Sequence, residues 1–226
     1  MKKTKCPGFC VIDLIYRKSL KEQFLGIYVW EFRAMLSKSL AEFISNHIIN
    51  KIDGVVACPN TGTYYGEVLA KSIGKPCFSW ITALNAERYL SVENSEQRKK
   101  LIYNKLAISD KDHIKNKSII LIDEAIFTGT TLEYLYKMLK ENNVKEIYIC
   151  IPTPKYYGGV CKFGYATKES IFNGSKKQPA SSIFNDLFFT EKIIFQQEKI
   201  FLKIIREIFH EDICSDCFID QNQDKE

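Results

Sequence analysis

Apolar residues follow two rhythms along this chain. The runs Gly54-Val55-Val56-Ala57-Cys58, Ile119-Ile120-Leu121-Ile122 and Ile147-Tyr148-Ile149-Cys150-Ile151 are too short and too β-branched for helices. They read as strands buried on both faces. Between them the spacing is helical: Val29, Phe32, Leu36, Leu40, Phe43 and Ile44 in one long segment ending near Ile49; Val68 and Leu69 in a helix that Gly74 and Pro76 end; then Leu132, Leu135, Met138 and Leu139. Strands alternating with helices predict an α/β fold, a mostly parallel twisted sheet flanked by helices. Cys10 to Tyr16 alternates enough to predict one further strand, and Ile193, Ile194, Ile200, Ile204, Ile205 and Ile208 predict a C-terminal helical segment. The expected organisation is an α/β domain over 1–170, a helical segment over 171–219 packed on it, and a polar, disordered tail over 220–226.

Two strand-to-helix junctions carry chemistry. Asp123 and Glu124 follow the Ile119–Ile122 run directly, at the strand's C-terminal edge, and Thr128-Gly129-Thr130-Thr131 opens the helix beyond. In open α/β sheets ligands bind beyond the strand ends, and helix-start N–H groups hold anions. The threonine hydroxyls add donors there, and Gly129 lets the backbone close on a phosphate. An adjacent acid pair suits ribose hydroxyls or a Mg2+ ion. No Lys follows the glycine, so this is not a Walker loop, and the spacing of a dinucleotide fold is missing. Pro59-Asn60-Thr61-Gly62-Thr63 makes the second junction, which parallel topology brings to the same sheet edge. Two such loops suit a ligand with phosphate at both ends. Residues 86–106, highly charged and without a sustained apolar face, read either as an exposed helix and loop laced with i,i+4 ion pairs or as a mobile lid that brings Arg88, Arg98 and Lys105 to those phosphates.

Composition narrows the picture. With 226 residues, 46% of them hydrophobic, the chain can bury a sizeable core. The formal charge of +5 is spread over single lysines, which a polyphosphate ligand would use without any nucleic acid. No apolar run is long enough for a membrane span and no signal-peptide core follows Met1, so a cytoplasmic location is expected. Eight cysteines in such a chain read as reduced thiols, some of them candidate metal ligands. Cys58, Cys77 and Cys150 lie in strand-like runs and are expected to be buried small hydrophobes.

The strand, the two acids and Thr-Gly-Thr-Thr resemble the motif with which type I phosphoribosyltransferases bind 5-phosphoribosyl-1-pyrophosphate (PRPP). From Cys10 to Cys217 the order of pieces is similar to the transferase half of the glutamine PRPP amidotransferases, or amidophosphoribosyltransferases. Cys10 to Tyr16 is similar to that family's opening strand, and Gly26 to Glu31 with Arg33 to the helix start that follows. Pro59-Asn60-Thr61 stands where the family has Pro-Asp-Ser or Pro-Asp-Thr, and Arg88-Tyr89, Arg98 and Lys105-Leu106 match the two ends of its lid. Thr153-Pro154 and Thr167-Lys168-Glu169 echo further family motifs. The chain also departs from the pattern: Thr128 replaces an Arg, Glu124 and Asn60 each replace an Asp, and the lid is shorter.

The resemblance implies a type I phosphoribosyltransferase fold over 1–170 and Mg2+-dependent transfer of phosphoribosyl from PRPP to ammonia or a small amine, in purine nucleotide biosynthesis. Ala125, Ile126, Phe127, Thr128, Gly129, Thr130 and Thr131 would bind the 5-phosphate, with Asp123 and Glu124 on the ribose hydroxyls and metal. Asn60, Thr61 and Gly62 would approach the pyrophosphate, Thr61 taking the hydroxyl position associated with Mg2+, and Arg88, Tyr89, Arg98 and Lys105 would close over it. Cys10, Cys161, Cys214 and Cys217 align with the cysteines that hold an iron–sulfur cluster in some members, which implies a [4Fe-4S] centre, with Zn2+ the alternative. The family's glutaminase half, with its nucleophilic N-terminal cysteine, is missing from the sequence. Ammonia is therefore expected from a separate glutaminase subunit or free pools, with a homo-oligomer, no nucleic acid and no membrane as the remaining expectations on partners. Two other readings stay open: a non-catalytic relic that senses PRPP or a nucleotide, and a base-salvage transferase using Tyr156 and Tyr157 as a base pocket.

Overall fold

The computed structural model describes residues 8–84, 106–158, 161, 163, 170, 172, 187, 192–210 and 213–219. Its centre is a five-stranded, wholly parallel sheet in the order β10-β9-β8-β4-β5. The strands are β4 (Gly54–Ala57), β5 (Cys77–Phe78), β8 (Ser118–Ile122), β9 (Glu146–Ile151) and β10 (Ile193–Phe195). Their near-continuous apolar runs follow from burial on both faces. Along β8, Ile120 and Ile122 enter one core while Ile119 and Leu121 enter the other; along β9, Tyr148 and Cys150 oppose Ile147, Ile149 and Ile151 in the same way.

Helices α1 (Val29–Ala41) and α3 (Thr61–Ser72) cover the first face, α4 (Thr130–Glu141) covers the second, and α5 (Glu198–Phe209) packs beside α1. The short helix α2 (Asn46–Lys51) lies between α1 and β4. Three small ribbons complete the described structure. β1 (Phe9–Cys10) pairs in parallel with β11 (Ile213–Cys214), β2 (Gln23–Phe24) forms a hairpin with β3 (Ile27–Tyr28), and β6 (Ile81–Ala83) pairs antiparallel with β7 (Leu106–Ile108). Among the described residues no helix is long and apolar enough to cross a membrane.

Four local expectations change. Only Cys10 of the predicted first strand is extended; Asp13–Arg17 form a π-type helix. Val11, Ile12, Leu14 and Ile15 are all buried, a spacing of three to four that suits a helical turn better than alternation. The long helix after Val29 breaks into α1 and α2, because Ser45 takes an extended backbone and its hydroxyl accepts from Ile48 N–H at 3.4 Å, starting a new helix. Ile193 and Ile194, read with the C-terminal helix, instead form β10 against β9. Cys77 is exposed, since β5 is the sheet's edge strand. The tail 220–226 lies outside the described residues.

Close approach of α3 to the sheet depends on a missing side chain. A Cβ on Gly66 would stand 2.7 Å from Ala57 Cβ and 3.2 Å from Ile122 Cγ2. Neither neighbour can swing away, one being a rigid methyl and the other β-branched. Gly66→Ala is therefore expected to cost about 1–3 kcal/mol through overpacking, outweighing alanine's better helix propensity of about 1 kcal/mol. Chemical denaturation checks this; a gain in stability would mean that α3 rides free of β4.

Candidate functional site

β4 and β8 run in parallel register, with Ala57 opposite Ile122, and the Cys58 N–H donates to Ile122 O at 2.8 Å. Both strands thus end at one level. The loops that follow them face each other across a cleft of roughly 360 Å3, lined by Asn60, Thr61, Asp123, Glu124 and Thr131 among the predicted residues. Gly62 sits just behind, where a Cβ would be 3.3 Å from Ile122 O and 3.6 Å from Asp123 Cα. Glycine there lets the 59–62 loop lie against the end of β8. Asn60 carries φ 70° and ψ −98°, a strained backbone that asparagine tolerates better than most residues, and strain of this kind clusters at ligand sites.

The segment after β8 divides its labour between side chains and backbone. Ala125 and Ile126 are buried in opposite cores, so what they offer an anion is backbone. Phe127 packs edge-on against Tyr156 at 4.7 Å and Tyr16 at 6.4 Å. Gly129, at φ 74°, takes the left-handed conformation that turns the chain into α4. Beside it the Thr128 and Thr130 hydroxyls share a hydrogen bond of 3.1 Å. The Glu124 carbonyl accepts from Thr153 Oγ1 at 3.1 Å, which ties the end of β9 to this loop.

Asp123 and Glu124 are both buried, and burial pushes both carboxyls above the usual carboxylate range. Glu124 stands well above it, with the Asp123 charge adding to the effect of burial and the Arg33 guanidinium opposing it. Two hard oxygen donors with a nearby Thr61 hydroxyl fit Mg2+, which commonly binds through one or two carboxylates and completes its shell with water and substrate phosphate. Among the described residues no three His, Cys, Asp or Glu side chains are arranged to hold an ion by themselves.

Sequence reasoning missed a further part of the cleft lining, Tyr16, Lys18, Ser19 and Leu20 together with Arg33. Only Arg33 left a signal, a charge on the apolar stripe of α1. Cys58, expected to be a plain core residue, is buried yet lines the cleft, and burial raises its thiol well above the usual range. Arg88, Tyr89, Arg98 and Lys105 lie outside the described residues, as does the Thr167-Lys168-Glu169 match.

The four aligned cysteines lie near one another around the β1–β11 pair. Cys10 and Cys214 are partners across the β1–β11 pair, and the Cys217 carbonyl accepts from Tyr157 N–H at 2.8 Å. Cys10, Cys214 and Cys217 each lie within electrostatic reach of Cys161. Burial raises the Cys10 thiol to about 12 and also lifts Cys214 and Cys217, so a soft cation would have to displace protons to bind there. A single zinc needs sulfurs about 3.8 Å apart, from ~2.3 Å bonds in a tetrahedron, whereas a cubane cluster gives each thiolate its own iron and spreads the sulfurs farther. Among the described residues the four thiols do not form a ready-made set of metal ligands.

Comparison with known proteins agrees with this geometry. An amidophosphoribosyltransferase of Haemophilus influenzae is 23% identical over 192 residues, covering 83% of this chain and 37% of its own length. The solved structure of glutamine PRPP amidotransferase from B. subtilis, complexed with ADP and GMP, superposes with a TM-score of 0.70 at 20% identity, covering 96% of this chain and 47% of the other. A structure described as the allosteric regulatory enzyme of purine biosynthesis gives 0.71 at 20% identity, with 96% and 46% covered. The chain thus spans less than half the length of these relatives, and the superpositions establish the type I phosphoribosyltransferase fold. Residues 27–157, which hold β4, β8, both loops and the acid pair, match the phosphoribosyl transferase domain family, and the chain belongs to that family.

Proposed function

We propose that the protein transfers phosphoribosyl from PRPP to ammonia or a small amine, with Mg2+ bound, and releases pyrophosphate. The observation that carries this reading is the shared cleft, where the acid pair, the strained 60–62 loop and the threonine loop face one another. Asp123 and Glu124 hold the ribose hydroxyls and, with Thr61, the metal. Backbone N–H groups from Ala125 to Thr131, with the threonine hydroxyls, bind the 5-phosphate at the start of α4. Asn60 to Gly62 receive the pyrophosphate. Mg2+, when bound, neutralises charge on the departing pyrophosphate. The bond breaks through an oxocarbenium-like state, so the residues' work is to position and stabilise rather than to attack. Arg88, Tyr89, Arg98 and Lys105 would close the lid, and a separate glutaminase subunit or free ammonium would supply the acceptor.

A small acceptor is favoured over a base by the fate of the two tyrosines. Tyr156 is fully buried between Phe127 and Phe218, and Tyr157 packs against Phe172. Tyr156 is thus enclosed in the core and its ring has no free face for a purine. Cys10, Cys161, Cys214 and Cys217 would hold a [4Fe-4S] cluster in a structural role.

Three outcomes test these assignments. Pyrophosphate release from PRPP and Mg2+ should depend on ammonium at alkaline pH and be abolished in Asp123→Asn; binding of PRPP without release would point to a sensor instead, and a strict purine requirement to salvage.

The second concerns Glu124. Its folded pKa lies above the ordinary 4.5, so between the two values the native state binds more protons than the unfolded chain, and stability falls as pH rises. Without metal, Glu124→Gln should melt higher than wild type at pH 8, by about 2–4 °C per ~1 kcal/mol, with the gap closing toward pH 4.5. Mg2+ should narrow it from the other side by stabilising wild type more. Equal melting at pH 8 would remove the claim that the buried charge is destabilising.

Third, anaerobic reconstitution with iron and sulfide should give a coloured protein with visible absorbance from iron bound by four thiolates. Cys214→Ser should lose the colour while retaining a folded transferase domain; a colourless wild type that binds zinc would favour the alternative.

A further inference from the structure

Arg33 projects from the apolar stripe of α1 and is only 3% exposed. A guanidinium so placed is costly unless hydrogen bonds replace its water. Its Nε donates to Leu14 O and its Nη2 to Lys18 O, each at 2.8 Å. Leu14 O needs such a donor, because Lys18 N–H is used on Asp13 and Ser19 N–H on the Glu22 carboxylate. The guanidinium also lies over the Tyr65 ring, 5.9 Å from its centroid. Tyr65 in turn donates its hydroxyl to Ile15 O at 3.1 Å and is held from α1 by Ser37, whose hydroxyl donates to Tyr65 O at 2.7 Å. Buried groups of α1 and α3 thus grip three carbonyls of the irregular turn over 13–18.

The same turn borders the cleft, which Tyr16 and Lys18 line together with Asp123 and Glu124. Arg33 reaches the same cleft, and its Nη1 has no hydrogen-bond partner among the described residues. The fork of an arginine can bridge two carbonyls four residues apart, which a lysine point charge cannot.

We propose that Arg33 is a positioning residue of the transfer site, fixing the 14–18 turn that lines the cleft with the carboxylates and setting a buried positive charge beside Glu124. This rests on the transfer reading given above. Loss of alignment on the scale of 1 Å at a transfer site costs on the order of 10²-fold in rate.

The test uses the full chain as wild type, Arg33→Ala, Arg33→Lys and Asp123→Asn, with PRPP, Mg2+ and ammonium. Arg33→Ala should lower kcat about 10²-fold, change KM for PRPP far less, and speed amide exchange within 13–18. Methylguanidinium at millimolar concentration should restore part of kcat in Arg33→Ala by entering the space left beside the cleft, and none in Asp123→Asn. Arg33→Lys should stay impaired, since it keeps the charge and loses the fork. Wild-type kcat in Arg33→Ala, or a loss without faster exchange and without rescue, overturns the proposal. Should Arg33→Ala fail to fold, Arg33→Lys decides, and wild-type kcat there overturns it equally. If wild type neither binds PRPP nor releases pyrophosphate, the transfer reading itself fails and the proposal falls with it; an active wild type matched by its Arg33 variants refutes the proposal alone.

Discussion

The parallel pairing of β4 with β8 is the constraint on which the site depends. Because the strands lie in register to their last residues, with Cys58 N–H closing the ladder on Ile122 O, two loops distant in sequence emerge side by side. A slip of one residue would turn every side chain of β8 to the opposite core and carry the acid pair away from the 60–62 loop. The apolar residues of both strands are buried on both faces, so such a slip meets resistance from two cores at once. Packing that stabilises the sheet therefore also sets the geometry of the cleft.

Against that stability stands the cleft itself. Two adjacent carboxylates are buried at the strand end, Asn60 is held in an unfavourable backbone conformation, and an arginine is enclosed beside them. Each would be replaced if stability alone were at stake. Their concentration at one sheet edge, in an otherwise consistently apolar framework, is what marks the edge as functional.

Much of this was legible in the sequence. The three apolar runs identified β4, β8 and β9, and the junctions after the first two identified Asp123, Glu124 and the 60–62 loop, because strand ends and helix starts leave local signals. The part of the lining from Tyr16 to Leu20 did not. Residues 13–18 fold as an irregular turn whose shape is imposed by Arg33 and Tyr65, 15 to 50 positions along the chain, and no local pattern encodes a tertiary grip of that kind. Ile193 and Ile194 were misread for a related reason: two adjacent isoleucines suit a helix stripe or a strand equally, and pairing with β9 decides between them. The cysteine corner was found only through resemblance, since the pairing of Cys10 with Cys214 joins the two ends of the described chain.

That corner is not separate from the cleft. Phe218, one residue after Cys217, packs on Tyr156 at 5.7 Å; Tyr156 packs on Phe127, and Phe127 on Tyr16 at the cleft wall. Rings in edge-to-face contact at close-packed density leave no slack between neighbours. The Asp216–Phe218 turn and the threonine loop are therefore joined by one continuous run of packed rings, so a residue late in the described chain braces a loop formed more than eighty residues earlier in the sequence.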